Sequence, residues 1–311
     1  MDTRIEKVVL LFLEHLEIEK NVSRLTVRNY RQYLLKWQEW MQRRKIDDIR
    51  EFNGEILRKY RLYLSRYTND RGEILSKKTQ SFYLIALRSM LRWLQKNEVE
   101  VLSPDRIELP KAESVSMKYT DSEHILKLLE SPDLSKISGL RDRTIMELLF
   151  STGLRVSELA KLNREQIDLN GGEFGVVGKG RRPRVVFLSE RAKFWLRQWL
   201  MSREDEWSPL FIHFGGVKEK NLYDTGEKMR LSVRSVQRII DKYAKKCKLP
   251  IKLSPHGVRH SFATDLLSNG ANLRDVQELL GHKSIVTTQI YTHVTKPQLK
   301  AAHQKFHSLK K

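Results

Sequence analysis

Cysteine occurs once in the chain, at Cys247. A single thiol excludes an internal disulfide and any zinc site built from several cysteines, and it fits a reducing cytoplasm. Long hydrophobic runs are missing too: no stretch approaches the roughly 18 to 20 apolar residues that a membrane-spanning helix needs. The opening MDTRIEKVVLLFLEHLEIEK has a short apolar core broken by Glu14, His15 and Glu17. It reads as an amphipathic helix rather than a signal peptide. Negative charge is in deficit, with 38 Asp and Glu against 58 Lys and Arg, a formal net charge of +20. That excess calls for a polyanionic partner, and phosphate neutralisation makes nucleic acid the first choice. Residues 1–110 hold 22 Lys and Arg against 16 Asp and Glu, net +6, which leaves +14 for the remainder. A length of 311 residues suits two domains.

Four helical stripes occupy the first hundred residues. Ile5, Val8, Val9, Phe12 and Leu16 mark the first. Ser23 caps a second, where Tyr30, Leu34, Trp37 and Met41 recur at helical spacing. Asn53 caps a third, with Ile56, Tyr60, Tyr63, Leu64 and Tyr67. Ser76 caps a fourth, with Phe82, Ile85, Leu87, Met90, Leu91 and either Trp93 or Leu94. Basic residues, among them Arg28, Arg31, Lys77, Lys78 and Arg88, sit largely between the apolar positions, where each taken singly suits a solvated face. The stretch SPDRIELPKAESVS has two prolines and no helical period. It places a linker at 109–118 between a helical domain, 1–108, and a second domain, 119–311.

Thr120-Asp121 with Glu123 starts a helix carrying Ile125, Leu128 and Leu129. In GLRDRTIMELLFSTGLRVSELAKL, residues Ile145, Leu148, Leu149 and Phe150 predict a buried helix, Thr152-Gly153 a break, and Arg155 the start of the next helix. An unpaired buried arginine is costly, so Arg155 has no place as core filler. Glu158, one turn on, is set to orient a neighbouring arginine or a backbone group; an ordinary surface pair is the competing reading. EFGVVGKGRRPRVVFL predicts two strands joined by a turn at Gly178-Lys179-Gly180. Taken by itself, Lys179 there reads as a solvent-facing lysine on the turn. Arg181, Arg182 and Arg184 suit phosphate contacts. A helix follows at about 190–203 with Phe194, Leu196, Trp199 and Leu200, then a short extended piece at Phe211-Ile212-His213. Residues 214–230 look like an aperiodic insertion of unassigned role. Ser232 caps a helix whose cationic side, with Arg234 and Arg238, suits a nucleic-acid contact or a solvated face equally.

The densest chemistry lies in LSPHGVRHSFATDLLSNGANLRDVQELLGHKSIVTTQIYTHV, Leu253 to Val294. His256 and Arg259 share one face of a helix begun by Ser254-Pro255. A helix from about Asn272 ends in Leu279-Leu280-Gly281, with Gly281 as its expected C-cap and His282 on the turn beyond. Tyr291 lies nine residues further on. This set suits a phosphodiester. A phenolate can displace one ester oxygen and hold the phosphate covalently, while arginine and histidine donors offset the growing negative charge. Each member has a plain alternative, since a tyrosine is usually a packed ring and a histidine at a helix end can cap carbonyls. His260 points another way around the helix and reads as structural, and His213, His293 and His303 have no partner in the pattern.

His-x-x-Arg-His, then Leu-Gly-His, then Tyr, together with Thr-Gly-Leu-Arg-x-Ser-Glu-Leu around Arg155, resembles the tyrosine recombinases of the phage integrase family, above all their Xer-type members. The resemblance implies a mainly α fold: an N-terminal helical, SAM-like core-binding bundle and a mixed α/β catalytic domain with a small antiparallel sheet, forming a C-shaped clamp on DNA. It implies six catalytic residues. Arg155 and Arg259 clamp the scissile phosphate, and Lys179 protonates the leaving 5′ oxygen. His256 serves as base or donor toward Tyr291, His282 hydrogen-bonds the phosphate, and Tyr291 is the nucleophile that forms a 3′-phosphotyrosyl link. Glu158 supports the arginines. No ATP, metal or other cofactor is required. On such an enzyme the basic residues of the first domain track phosphates as a set. The implied partner is double-stranded DNA with an inverted-repeat site, two copies held by a homotetramer or a heterotetramer with a paralogue. An accessory DNA translocase is a further possible partner, and no membrane is involved. A last helix at 298–309 would link neighbouring subunits or dock on its own. Chromosome-dimer resolution and mobile-element integration or excision both fit; the lack of an additional arm-binding domain argues against lambda-like integrases. The alternatives are a type IB topoisomerase, a telomere resolvase, or a DNA-binding regulator without catalysis. Lys283-Ser284 departs from the small polar residues of many relatives and adds charge there.

Overall fold

Ser23, Asn53 and Ser76 each accept backbone N–H groups from the first turn of a helix, at 3.0–3.3 Å, and so set where the N-terminal helices begin. A cap of this kind contributes about 1 kcal/mol. The computed structural model describes residues 2–68, 72–110, 122–178, 183–215, 225–250 and 253–281. Two units, Met1–Ser116 and Met117–Lys311, each enclose their own core. The expected linker, 109–118, lies outside the described residues from 111 onward.

In the first unit α1 (Ile5–Ile18), α2 (Arg24–Gln42), α3 (Gly54–Arg66) and α4 (Lys77–Lys96) bury one stripe each. Ile5, Val8, Val9, Phe12 and Leu16 meet Leu34, Trp37, Met41, Tyr60, Leu64, Leu87, Met90 and Leu91 in the core. Two stripes hold at most of the expected positions and depart from them mainly in the N-terminal halves of their helices. On α4 the buried line runs through Leu84, Leu87, Leu91 and Leu94, which leaves Phe82 on the flank, exposed and stacked on Tyr33 with ring centroids 6.3 Å apart. On α3, Leu57 rather than Ile56 leads into Tyr60 and Leu64. A step of 100° per residue makes a one-position error enough to move a side chain off the core face.

The second unit is built around α6 (Ile137–Thr152), which follows α5 (Ser122–Glu130). Ile145, Leu148 and Leu149 of α6 are buried as the sequence predicts, but so are Arg141, Asp142, Arg143 and Glu147. Buried charges must be paired, and these are. Arg141 binds Asp142 at 2.7 Å and the Ile212 carbonyl at 2.9 Å, and the Tyr243 hydroxyl donates to Asp142 at 3.0 Å. Arg143 and Arg191 share Glu147, at 2.9 and 2.7 Å. After the short α7 (Val156–Leu159), β1 (Glu173–Val177) and β2 (Pro183–Phe187) form an antiparallel pair in which Phe174 faces Val186 and Val176 faces Arg184.

On α8 (Glu190–Met201), Ala192, Leu196 and Trp199 make the buried stripe, so Phe194 is exposed, contrary to expectation. Of the supposed insertion at 214–230, residues 216–224 lie outside the described residues, and both ends belong to the fold. Phe214 packs edge-on to Trp199, Met229 is buried, and Arg230 binds the Ala160 and Leu162 carbonyls and Asn163. The chain ends its described course in α9 (Val233–Lys246), α10 (Pro255–Ser268) and α11 (Leu273–Leu280). Among the described residues no helix is long and apolar enough to cross a membrane.

Helix α6 stops at Gly153, which takes the left-handed conformation at φ 58° and would bring a Cβ within 2.4 Å of the Phe262 ring. Gly153→Ala is therefore expected to cost about 1–3 kcal/mol through backbone strain and crowding. The urea midpoint should fall with little change in slope; an unchanged midpoint would show that the turn relaxes freely.

Candidate active site

The turn at Gly153 delivers Arg155 to the N-cap of α7. There Glu158 closes back on it: one carboxylate oxygen accepts the Arg155 backbone N–H at 2.9 Å, the other accepts Nη1 at 2.7 Å. Nη2 of Arg155 donates to the Gly281 carbonyl at 3.3 Å. Of the two sequence readings of Glu158, the orienting one describes this geometry, because the carboxylate is buried and not a surface partner.

Ser254 caps α10 and Pro255 occupies its first turn, as the sequence predicts. His256 is exposed in that first turn, and Arg259, one turn on, is buried. Arg259 donates Nη1 to the Gly153 carbonyl at 2.5 Å and Nη2 to the Leu280 carbonyl at 2.6 Å. It thus ties the end of α6 to the end of α11. That end is Gly281, left-handed at φ 62°. Arg155 and Arg259 come from separate helices and finish on successive carbonyls, Gly281 and Leu280. The unsatisfied carbonyls of a helix C-terminus carry partial negative charge and favour cations.

A third guanidinium completes the cluster, and sequence reasoning gave it another role. Arg184, read from the sequence as a phosphate contact, has its side chain buried and bonds Glu158 through both terminal nitrogens, at 3.0 and 2.8 Å. Its Nε donates to the Leu279 carbonyl at 3.2 Å. Period two along β2 could have found it, since Arg184 alternates with Val186 and Leu188 toward the inner face. Burial by itself would raise the carboxyl pKa of Glu158. Hydrogen bonds from Arg184 and from the Arg155 backbone and side chain outweigh that and hold it at about 2.

Lys179, Arg181, Arg182, His282, Lys283-Ser284, Tyr291, His293, His303 and the helix expected at 298–309 lie outside the described residues. Arg28 and Arg31 are exposed on α2 and Lys77 and Lys78 on the first turn of α4, whereas Arg88 is half-buried. Arg234 and Arg238 are exposed one turn apart on α9. His260 is buried on α10, and His213 lies against the Lys228 carbonyl at 3.1 Å.

A carboxylate held at about 2 in the folded chain, against an ordinary 4.5, stabilises the fold fully above the ordinary value and loses that contribution as pH falls through about 2. The shift corresponds to roughly 2–4 kcal/mol. Glu158→Gln should lower stability at pH 7 by an amount of that order and flatten the decline in urea midpoint between about pH 5 and pH 2. An acid limb as steep as that of the wild type would show that other carboxylates carry it.

Two family models match the chain in order: the phage integrase N-terminal SAM-like domain over residues 9–98 and the phage integrase family over 118–298. The tyrosine recombinase XerD of Staphylococcus epidermidis is 34% identical over 99% of this chain and 99% of its own length. The XerD of Pasteurella multocida is 34% identical over 96% and 97%. Among solved structures, the XerH site-specific recombinase bound to its difH substrate before cleavage is 27% identical with a TM-score of 0.67, covering 93% of this chain and 82% of that one. A lambda integrase dimer bound to a core site shares the fold at a TM-score of 0.68 and 17% identity, covering 92% and 94%. With the helical bundle, the small antiparallel sheet and both family segments in register with full-length relatives, the chain belongs to the phage integrase family and is a tyrosine recombinase.

Proposed function

We propose that this enzyme carries out site-specific recombination on double-stranded DNA, cleaving and rejoining each strand through a 3′-phosphotyrosyl link to Tyr291. The observation that carries the reading is the convergence of Arg155 and Arg259 on the last carbonyls of α11, one residue before His282 in the chain. Two fixed guanidiniums form a site for the non-bridging oxygens of one phosphate, where bidentate, charge-assisted hydrogen bonds are strong. They act on charge that develops in the transition state, and removal of one such donor typically costs 10²–10³ in rate.

His256, exposed one turn before Arg259, takes or shares the Tyr291 proton. The phenolate oxygen attacks phosphorus, the bond to the 5′ oxygen breaks, and Lys179 gives a proton to that oxygen, which leaves as a 5′ hydroxyl. His282 hydrogen-bonds the phosphate. The 5′ hydroxyl of a partner strand then attacks the phosphotyrosyl link and releases Tyr291. The ester energy is kept throughout, so the step needs neither ATP nor metal. Strand exchange requires two sites with inverted-repeat halves, each half bound by one chain, hence a tetramer of this chain or of this chain with a paralogue. Arg28, Arg31, Lys77, Lys78 and Arg88 in the N-terminal unit, and Arg181, Arg182, Arg234 and Arg238 in the second, contact backbone phosphates and set position rather than sequence. The reaction takes place in the cytoplasm, and a DNA translocase is a suitable activating partner.

Covalent trapping on a nicked genomic DNA library tests this. The nick lets the cleaved 5′ fragment diffuse away and leaves the enzyme attached. Wild type should be captured at one imperfect inverted repeat, and Tyr291→Phe should bind the same DNA without becoming linked. Capture of Tyr291→Phe, or binding without capture by either protein, would sink the reading. Lys179→Ala should cleave about 10²–10⁴-fold more slowly and recover when sulfur replaces the bridging 5′ oxygen, because a thiolate leaves without a proton. A defect equally large on the sulfur substrate would remove Lys179 from the acid role.

A further inference from the structure

Arg184 stands apart from the six residues just assigned. It lies on β2, five residues beyond Lys179, with its side chain buried. Its guanidinium reaches the two oxygens of Glu158 at 3.0 and 2.8 Å, and its Nε reaches the Leu279 carbonyl at 3.2 Å. A Cβ placed on Gly281 would stand 3.0 Å from its Cδ, so the side chain also lies against the last turn of α11. One residue therefore lies on the strand that follows Lys179 in the chain and touches both the carboxylate that holds Arg155 and the residue that precedes His282.

We propose that Arg184 is a positioning residue for DNA cleavage, acting through Glu158 on Arg155. The assignment rests on the reading of Arg155 as a phosphate ligand. Glu158 is an anion beside a cation that must attract another anion. Paired one to one, Glu158 and Arg155 sum to zero charge, and a phosphate would meet a neutral pair. With Arg184 bound to the same carboxylate the trio carries +1, and Arg155 keeps its attraction for phosphate. Arg184 also divides the two oxygens, so that Glu158 holds the Arg155 backbone through one and its Nη1 through the other. Charge and direction of Arg155 both depend on it.

The test uses the full chain and a nicked suicide duplex bearing the site that wild type captures, with single-turnover cleavage read at saturating protein. Affinity for the duplex and the urea midpoint are measured alongside. Arg184→Met should cleave on the order of 100-fold more slowly while binding the duplex within a few-fold of wild type. Adding Glu158→Gln to Arg184→Met should restore about tenfold of that rate, since the carboxylate that neutralises Arg155 is gone. Arg141→Met breaks an equally buried ion pair within α6; it should lower the midpoint and leave the cleavage rate of the folded protein unchanged. If Arg184→Met does not fold, Arg184→Gln is read in the same way with and without Glu158→Gln. Wild-type cleavage in Arg184→Met, a double variant no faster than the single, or the same rate loss in Arg141→Met would overturn the assignment. A wild type that binds without trapping would overturn the Tyr291 reading, and this assignment with it.

Discussion

One buried carboxylate holds the arrangement together. Glu158 accepts from the Arg155 backbone, the Arg155 guanidinium and the Arg184 guanidinium. It stays ionised despite burial because those donors more than compensate for lost solvation. Around it, α7, β2 and the end of α11 are tied by charge rather than by apolar packing alone. Such a tie is directional. An apolar contact tolerates sliding, whereas a guanidinium with both terminal nitrogens on one carboxylate fixes distance and orientation together.

The core supports this cluster from below with a second set of buried charges. Arg141–Asp142 and Arg143–Glu147 lie on α6, whose C-terminal turn at Gly153 leads directly into Arg155. Arg259 then binds the Gly153 carbonyl, so the helix that carries the arrangement is gripped at the point where it ends. Buried ion pairs add little net stability compared with apolar packing. What they supply here is register: each pair fits one arrangement of α6 against α8, α9 and the Ile212 segment.

Much of this was legible in the sequence, and the rest was hidden for identifiable reasons. The caps at Ser23, Asn53, Ser76, Ser232 and Ser254 and the glycine stops at Gly153 and Gly281 were readable because capping is local, set by a side chain within three residues of the backbone it serves. The apolar stripes of α1 and α2 were readable from their spacing. Phe82 and Phe194 were misplaced because an aromatic ring on the flank of a stripe has the same spacing signal as one at its centre. Arg184 was misread because a run of basic residues after a glycine turn gives no hint, residue by residue, of which one faces inward; the alternation of β2 carried that information.

Residue order alone determined where the helices capped by Ser23, Asn53, Ser76, Ser232 and Ser254 start, where α6 and α11 stop, that the chain has the two segments of the recombinase family, and that its partner is a polyanion. These follow from chemistry within a few residues or from total charge. Only the tertiary structure decided that Glu158 serves two arginines from distant segments, that Arg184 is spent on that carboxylate rather than on phosphate, and that Arg155 and Arg259 end on neighbouring carbonyls. Pairings of this kind depend on which segments meet in space, and burial then selects among the many charged residues the few whose partners offset the loss of water.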